Sequence, residues 1–184
     1  MKKLFLLSAC AATMWLAQAC SSASETTSGD TTASSSDATT VVLADSLFIR
    51  QAAIGGKAEV ELGNLALATS TNTSVKDFAT MMVADHTKSN EELMAMAKSK
   101  SFTLPDSLDA EHKATADGLR GLTGAAFDKA YMNAMVDGHQ KMLALLQSEA
   151  QGGMDANLKD YATKTAPVVQ THLEQAQKIQ AGIR

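Results

Sequence analysis

Val75–Leu93, VKDFATMMVADHTKSNEEL, decides the fold. Its apolar positions recur every three or four residues: Val75, Ala79, Met82, then His86, Asn90, Leu93 and, just beyond, Ala97. That period is an amphipathic helix, and Asp77, Lys88 and Glu91 fall on its wet face. A histidine at the centre of a dry stripe needs a partner, because a buried polar group without one is costly. Asp85 lies at the flank of the stripe. Thr71-Asn72-Thr73-Ser74 just upstream supplies residues that cap a helix start.

Three further segments carry the same period. The first is predicted as a helix over about Asp45–Thr69, with inward positions Phe48, Ala52, Gly55, Glu59, Leu62 and Ala66. Its outward face includes Lys57 and Glu61, four residues apart and able to pair. Gly55, Gly56 and Gly63 weaken this helix but allow close approach of a neighbour. The third helix is predicted over Ala125–Gln151, with the stripe Asp128, Met132, Met135, His139, Leu143, Leu146 and Ala150. Gly152-Gly153 then offers a left-handed cap. The fourth runs over Asp155–Ala181, with the stripe Leu158, Tyr161, Thr165, Val168, His172, Ala176 and Ile179 and an interior Pro167 that predicts a kink.

Between the second and third helices, Phe102–Thr123 forms a link holding a short helix within Ser107–Leu122. A link of that length can cross the long axis of a bundle, whereas the other two connections are short. His112, between Glu111 and Lys113, reads as a solvated histidine rather than a ligand. The fold class is therefore all-α, a four-helix bundle. The second and third helices also share K-x-[FY]-x-x-x-M-V-x-x-H, from Lys76 to His86 and from Lys129 to His139. Duplication, or similar demands on two bundle helices, explains it.

The N-terminal part has a different character. Lys2 and Lys3 precede an apolar run, Leu4–Leu16, that is too short to span a bilayer, and Ala17-Gln18-Ala19-Cys20 follows. Residues 1–19 read as a signal peptide. Cut after an A-x-A site, the chain is simply exported; with Cys20 as its first residue it is a candidate lipoprotein, held to the membrane by a lipid on Cys20. Residues 20–44, rich in Ser, Thr, Ala, Asp and Gly, have no apolar period and read as a tether, leaving 45–184 as the bundle domain. Both cysteines, Cys10 and Cys20, lie at or before the cut, so no internal disulfide is expected in the mature chain. Removing Lys2 and Lys3 leaves 14 basic residues against 20 acidic ones, a mature charge of −6. No basic stripe is present, which speaks against a nucleic-acid partner. The expected location is the cell envelope, either the outer membrane by lipid anchor or the periplasm. The sequence names no protein partner.

Each of the four long helices thus turns one coordinating residue inward: Glu59, His86, His139 and His172. At about 1.5 Å per residue, Glu59 and His86 lie level within about 3 Å, whereas His139 and His172 are offset by about one turn. Three imidazoles and a carboxylate suit Zn, Fe, Mn or Cu. A hydrogen-bonded Glu–His cluster is the alternative. Met82 and Met135 sit one turn before their histidines, a copper-friendly placement, but methionine is also ordinary core filler. There is no Ser/His/Asp arrangement, no cysteine in the mature core and no Gly-rich phosphate loop, and only one clear inward carboxylate for an oxygen-activating metal pair. The sequence favours a binding or structural module over an enzyme.

The runs Gly56–Gly63, Val75–Ala79 with Val83–His86, Leu104-Pro105, Leu122–Gly124 with Phe127–Tyr131, and His172-Leu173 resemble the bacterial domain-of-unknown-function 4142 family. The resemblance extends from about Asp45 to the C-terminus. It implies a ferritin-like four-helix fold with a long crossover link, exported to the envelope and often labelled an outer-membrane protein, and it implies no activity. The family's Asp-His pair is kept at Asp85-His86. The next helix instead has Asp137-Gly138-His139, its acid one place removed, which puts in doubt a supporting carboxylate beside His139. Di-iron ferritins carry two Glu-x-x-His motifs, and this chain has neither.

Overall fold

Helices form where the 3.6-residue period is sustained. The computed structural model describes residues 35–183, with side chains from residue 44. The proposed signal peptide, Cys20 and the tether as far as residue 34 lie outside the described residues. Five helices are seen: α1, Ser35–Thr69; α2, Thr73–Ser99; α3, Ala110–Arg120; α4, Gly124–Gly152; and α5, Ala156–Gly182. No strand occurs among the described residues.

The caps follow from residue chemistry. Asn72 accepts the backbone N–H groups of Ser74 and Val75, starting α2. Asp155 does the same for Asn157 and Leu158 at the head of α5, and Asp109 takes the His112 N–H at the head of α3. At its own start α1 exceeds the expectation, beginning at Ser35 rather than Asp45, so the predicted tether overlaps its first turns. Extending an existing helix fixes one residue per hydrogen bond, which residues of modest propensity tolerate once a nucleus exists.

α1 packs along α2, and α4 along α5; α1 also meets α4, and α2 meets α5. The apolar residues form two clusters. One holds Leu62 and Ala66, Val75 to Met82, Phe127 to Met135, and Ala176. The other holds Phe48 to Ala53, Leu93 and Ala97, Leu146, and Leu158 to Val169. Phe102 and Leu104 pack on the second cluster and Leu122 on the first, so the link carrying α3 travels from one to the other. Burying a side chain such as Phe127 or Leu146, both fully covered, stabilises the fold by roughly 2–3 kcal/mol. Outside the site, Ser70 Oγ donates to Asp128 Oδ1 at 2.5 Å and Ser89 and Tyr161 share a hydrogen bond at 2.5 Å, whereas Tyr131 Oη and one Glu149 oxygen are buried with no partner among the described residues.

Three local expectations are corrected. Glu61 pairs with Arg120 of α3 instead of Lys57, whose Nζ donates to the Pro105 carbonyl at 2.6 Å. A nearby link and helix offer both groups partners beyond their own helix. Val168 is exposed, and Val169 takes the inward place. Counting 3.6 residues per turn from Leu158 lands on 169 rather than 168. Gly153 closes α4 with φ −60° and ψ 150°, an extended conformation rather than a left-handed one. Its N–H bonds the Glu149 carbonyl at 2.8 Å, and the Glu149 carboxylate lies where a Cβ would stand. Glycine is thus required here for space, not for positive φ. α5 continues as helix through Pro167.

Candidate metal centre

The polar layer lies between the two apolar clusters. Along α1, Glu59 falls between Ala53 of one cluster and Leu62 of the other. His86 falls between Met82 and Leu93, His139 between Met135 and Leu146, and His172 between Val169 and Ala176. Each helix therefore crosses from one core to the other through one of these four residues, and the four meet. His86, His139 and His172 form a triangle with every pair of ring centroids 5.6 Å apart. One nitrogen from each ring lies within 4.8 Å of those from the other two. All three rings are buried, His139 completely. The one-turn offset expected for His172 does not keep it from the cluster.

Each ring has one nitrogen engaged and one bare. His86 Nδ1 faces Glu59 Oε2 at 3.0 Å. His139 Nδ1 donates to the Met135 carbonyl at 2.8 Å, with Glu59 Oε1 at 3.1 Å. His172 Nε2 lies 3.0 Å from Asp85 Oδ2. The opposite nitrogens, His86 Nε2, His139 Nε2 and His172 Nδ1, are buried with no hydrogen-bond partner among the described residues. A neutral imidazole carries one N–H, and an acceptor facing one nitrogen holds the proton there. The three bare nitrogens are then lone pairs.

Electrostatics supports that division at His139 and His172. Burial alone would raise the pKa of Glu59, but the charge and hydrogen bond of His86 and the charges of His139 and His172 outweigh it, bringing it down to about 2. Burial pulls His86 down, and Glu59 with Asp85 more than offsets this, so His86 is raised. Burial dominates at His139 and at His172, and both are lowered despite Glu59 and Asp85 respectively. Two rings are thereby held neutral beside a fixed carboxylate anion.

All four residues singled out in the sequence are brought together, but Glu59 stands apart in role. Its two oxygens turn to the Nδ1 atoms of His86 and His139 rather than joining the group of bare nitrogens. Asp85 also serves a ring, that of His172 across the α2–α5 interface and not its sequence neighbour His86. His112 is not in the cluster; its Nδ1 lies 2.7 Å from Asp109 Oδ1. The Met135 carbonyl was not foreseeable as a ring partner, since a backbone acceptor leaves no mark in residue type. Phe78, in the motif shared by α2 and α4, lies beside the His139 ring with centroids 6.4 Å apart.

With this geometry in view, comparisons with known proteins place the fold. The sequence profile of DUF4142, a domain of unknown function, matches residues 30–179. No functionally curated protein matches the sequence. Among solved structures, a DUF305 fragment from Deinococcus radiodurans superposes with a TM-score of 0.68 at 13% identity, covering 75% of this chain and 95% of that one. A DUF305 protein from Streptomyces coelicolor gives 0.66 at 13% identity, covering 76% and 91%. CopM in its Cu(II)-bound form gives 0.64 at 14% identity, covering 75% and 96%. At these identities the likeness is one of fold.

Proposed function

The chain belongs to the DUF4142 family, and we propose that its bundle binds one transition-metal ion through His86, His139 and His172. The observation that carries this is the set of three buried imidazole nitrogens, one per ring, that have no partner among the described residues while the opposite nitrogens are held. Left as it stands, such a cluster costs the desolvation of three polar atoms. A cation shared by the three lone pairs would repay that cost. Three histidines leave a further coordination position open, as in sites that exchange ligands. Metal–nitrogen bonds of about 2.0–2.1 Å require the rings to draw inward on binding.

Glu59, Asp85 and the Met135 carbonyl would hold the rings' outer nitrogens, the arrangement that orients imidazole ligands and raises their basicity. The sequence-level assignment of Glu59 as a fourth ligand gives way to this supporting role. Among Zn, Fe, Mn and Cu, copper is the first to try: imidazole sites favour Cu(II) in the divalent series, and a Cu(II)-bound protein shares the fold. The alternative, a purely hydrogen-bonded Glu–His cluster, draws on the two contacts of Glu59 but leaves the bare nitrogens unexplained.

For the whole chain we infer an exported envelope protein, either lipid-anchored through Cys20 or free after cleavage. Export is supported by the N-terminal sequence and by a neighbour described as a secreted protein. No helix among the described residues is long and apolar enough to cross a membrane. A ferritin-like reading of the bundle, with Phe102–Thr123 as its long crossover, is supported by the passage of that link between the two core clusters. The test is metal content and calorimetric titration of the purified domain. Stoichiometric binding of Cu, Zn, Fe or Mn, lost in His86→Ala, His139→Ala and His172→Ala, is expected. A wild-type domain that takes up none of the four ions refutes the proposal.

A further inference from the structure

A cavity of about 790 Å³ opens between α1, α3 and α4, and Glu59 lies on its wall. We propose that this cavity is the route by which a hydrated divalent cation reaches the histidine cluster, with Gly138 as its inner window. The inference rests on the metal-binding reading above.

The outer part of the cavity is acidic. Asp109, Glu111 and Asp137 line it together with His112 and Lys141; Lys141 Nζ is paired with Glu111 at 2.6 Å, and His112 Nδ1 lies 2.7 Å from Asp109. Asp137 is exposed. Carboxylates around a concave mouth raise the local concentration of cations. The rest of the wall mixes apolar side chains with uncharged polar ones such as Gln51 and Asn133, and its one buried charged residue is Glu59, only 5% exposed. Its Oε2 faces His86 Nδ1 at 3.0 Å and its Oε1 lies 3.1 Å from His139 Nδ1, so both oxygens sit on the Nδ1 side of the two rings. An ion following the acidic mouth inward meets this anion next to two of the three rings.

Gly138 keeps that last step open. Beyond its own stretch of helix, a Cβ at this position would have Glu59 Oε1 as its one neighbour within 4 Å among the described residues, at 3.4 Å. The space in front of the carboxylate is therefore the space left by the missing side chain. A larger residue there extends into the approach to Glu59. The second cavity, lined by residues such as Asn72, Phe78 and Lys178, includes none of the four cluster residues among its lining.

The test is stopped-flow loading of the full domain with Cu(II), paired with equilibrium titration. Gly138→Leu is expected to slow loading at least tenfold while the final stoichiometry is kept. Asp137→Lys changes the mouth at an exposed position and leaves the interior intact. It should slow loading severalfold at low ionic strength, with the difference fading as salt screens the charge. Glu91→Lys, an equal charge change on an exposed position of α2, should leave the rate unchanged. Wild-type loading with unaltered rates in both Gly138→Leu and Asp137→Lys overturns the route and leaves the metal site standing. Failure of the wild-type domain to bind Cu(II) at all overturns both.

Discussion

At the scale of single residues, Glu59 and Glu149 are two buried carboxylates with opposite fates. Glu59 is surrounded by imidazoles and stays ionised. If it steadies the rings rather than coordinating, Glu59→Gln should keep the three-histidine stoichiometry and weaken affinity by about 10- to 100-fold, the usual effect of losing such a support; calorimetry of the variant reads this directly. Loss of all binding would instead make Glu59 a ligand. Glu149 is 6% exposed with one oxygen unpartnered. Burial, then the charges of Asp45 and Asp155 against weak relief from Lys159, pushes its pKa from 4.5 up to about 7. A folded-state pKa above the unfolded one means that the folded form binds the extra proton. That contribution to stability is complete below about pH 4.5 and is lost as pH rises through about 7. Glu149→Gln should therefore raise the melting temperature at pH 8 relative to wild type and flatten the decline between pH 5 and 8, measured by thermal denaturation across that range. The sequence exposed Glu59 because an acid in an apolar stripe is conspicuous. It did not show that the carboxylate turns to Nδ1 atoms, because that depends on the rotation of three helices about their axes.

At the scale of elements, glycines separate close packing from slack. In α1, a Cβ at Gly63 would lie 2.8 Å from Val83 Cγ2 and 3.3 Å from the Ala79 carbonyl, so α1 and α2 approach through this gap. Gly118, in α3, would meet nothing within 4 Å. The same substitution should thus have opposite signs. Gly118→Ala gains about 1 kcal/mol of helix propensity, whereas Gly63→Ala forces apart a backbone contact that a β-branched side chain and a carbonyl cannot yield, and loses more than that gain. Chemical denaturation of the two variants checks both signs. The close approach was legible in the sequence as a run of glycines inside an apolar period; which glycine faces which residue was not. Helix limits were legible where a capping side chain fixes them, at Asn72 and Asp155. They were least so at Ser35, where continuation is set by cooperativity rather than by any marker residue. The shared motif of α2 and α4 gains a physical sense: it places His86 and His139 on either oxygen of Glu59, and Phe78 edge-on to Tyr131 with centroids 6.5 Å apart.

At the scale of the whole molecule, the metal would act as a clasp across the bundle. His86 comes from α2, His139 from α4 and His172 from α5, and the layer they form separates two apolar cores that share no side chains through it. A ligand that binds only the folded arrangement stabilises it by mass action, about 2.7 kcal/mol at a free concentration one hundred times Kd. For a domain of this size that corresponds to a rise in melting temperature of roughly 5–10 °C. The rise should grow with the logarithm of metal concentration, reverse on chelation, and vanish in His139→Ala. His139→Ala alone should also lower the metal-free melting temperature, since it empties a site buried to 0% exposure. The two effects are separable because the cavity penalty is independent of metal and the clasp is not. Joining the cores through three helices has a further consequence for hydrogen exchange. Without metal, amides of α5 near His172, beside exposed Val168 and Pro167, should exchange by local opening faster than those of α4 near His139. With metal, the difference should close, since α5 can no longer leave without breaking a bond to the shared ion. Equal protection of the two helices with and without metal would show that the ion, if bound, does not tie α5 to the rest of the bundle.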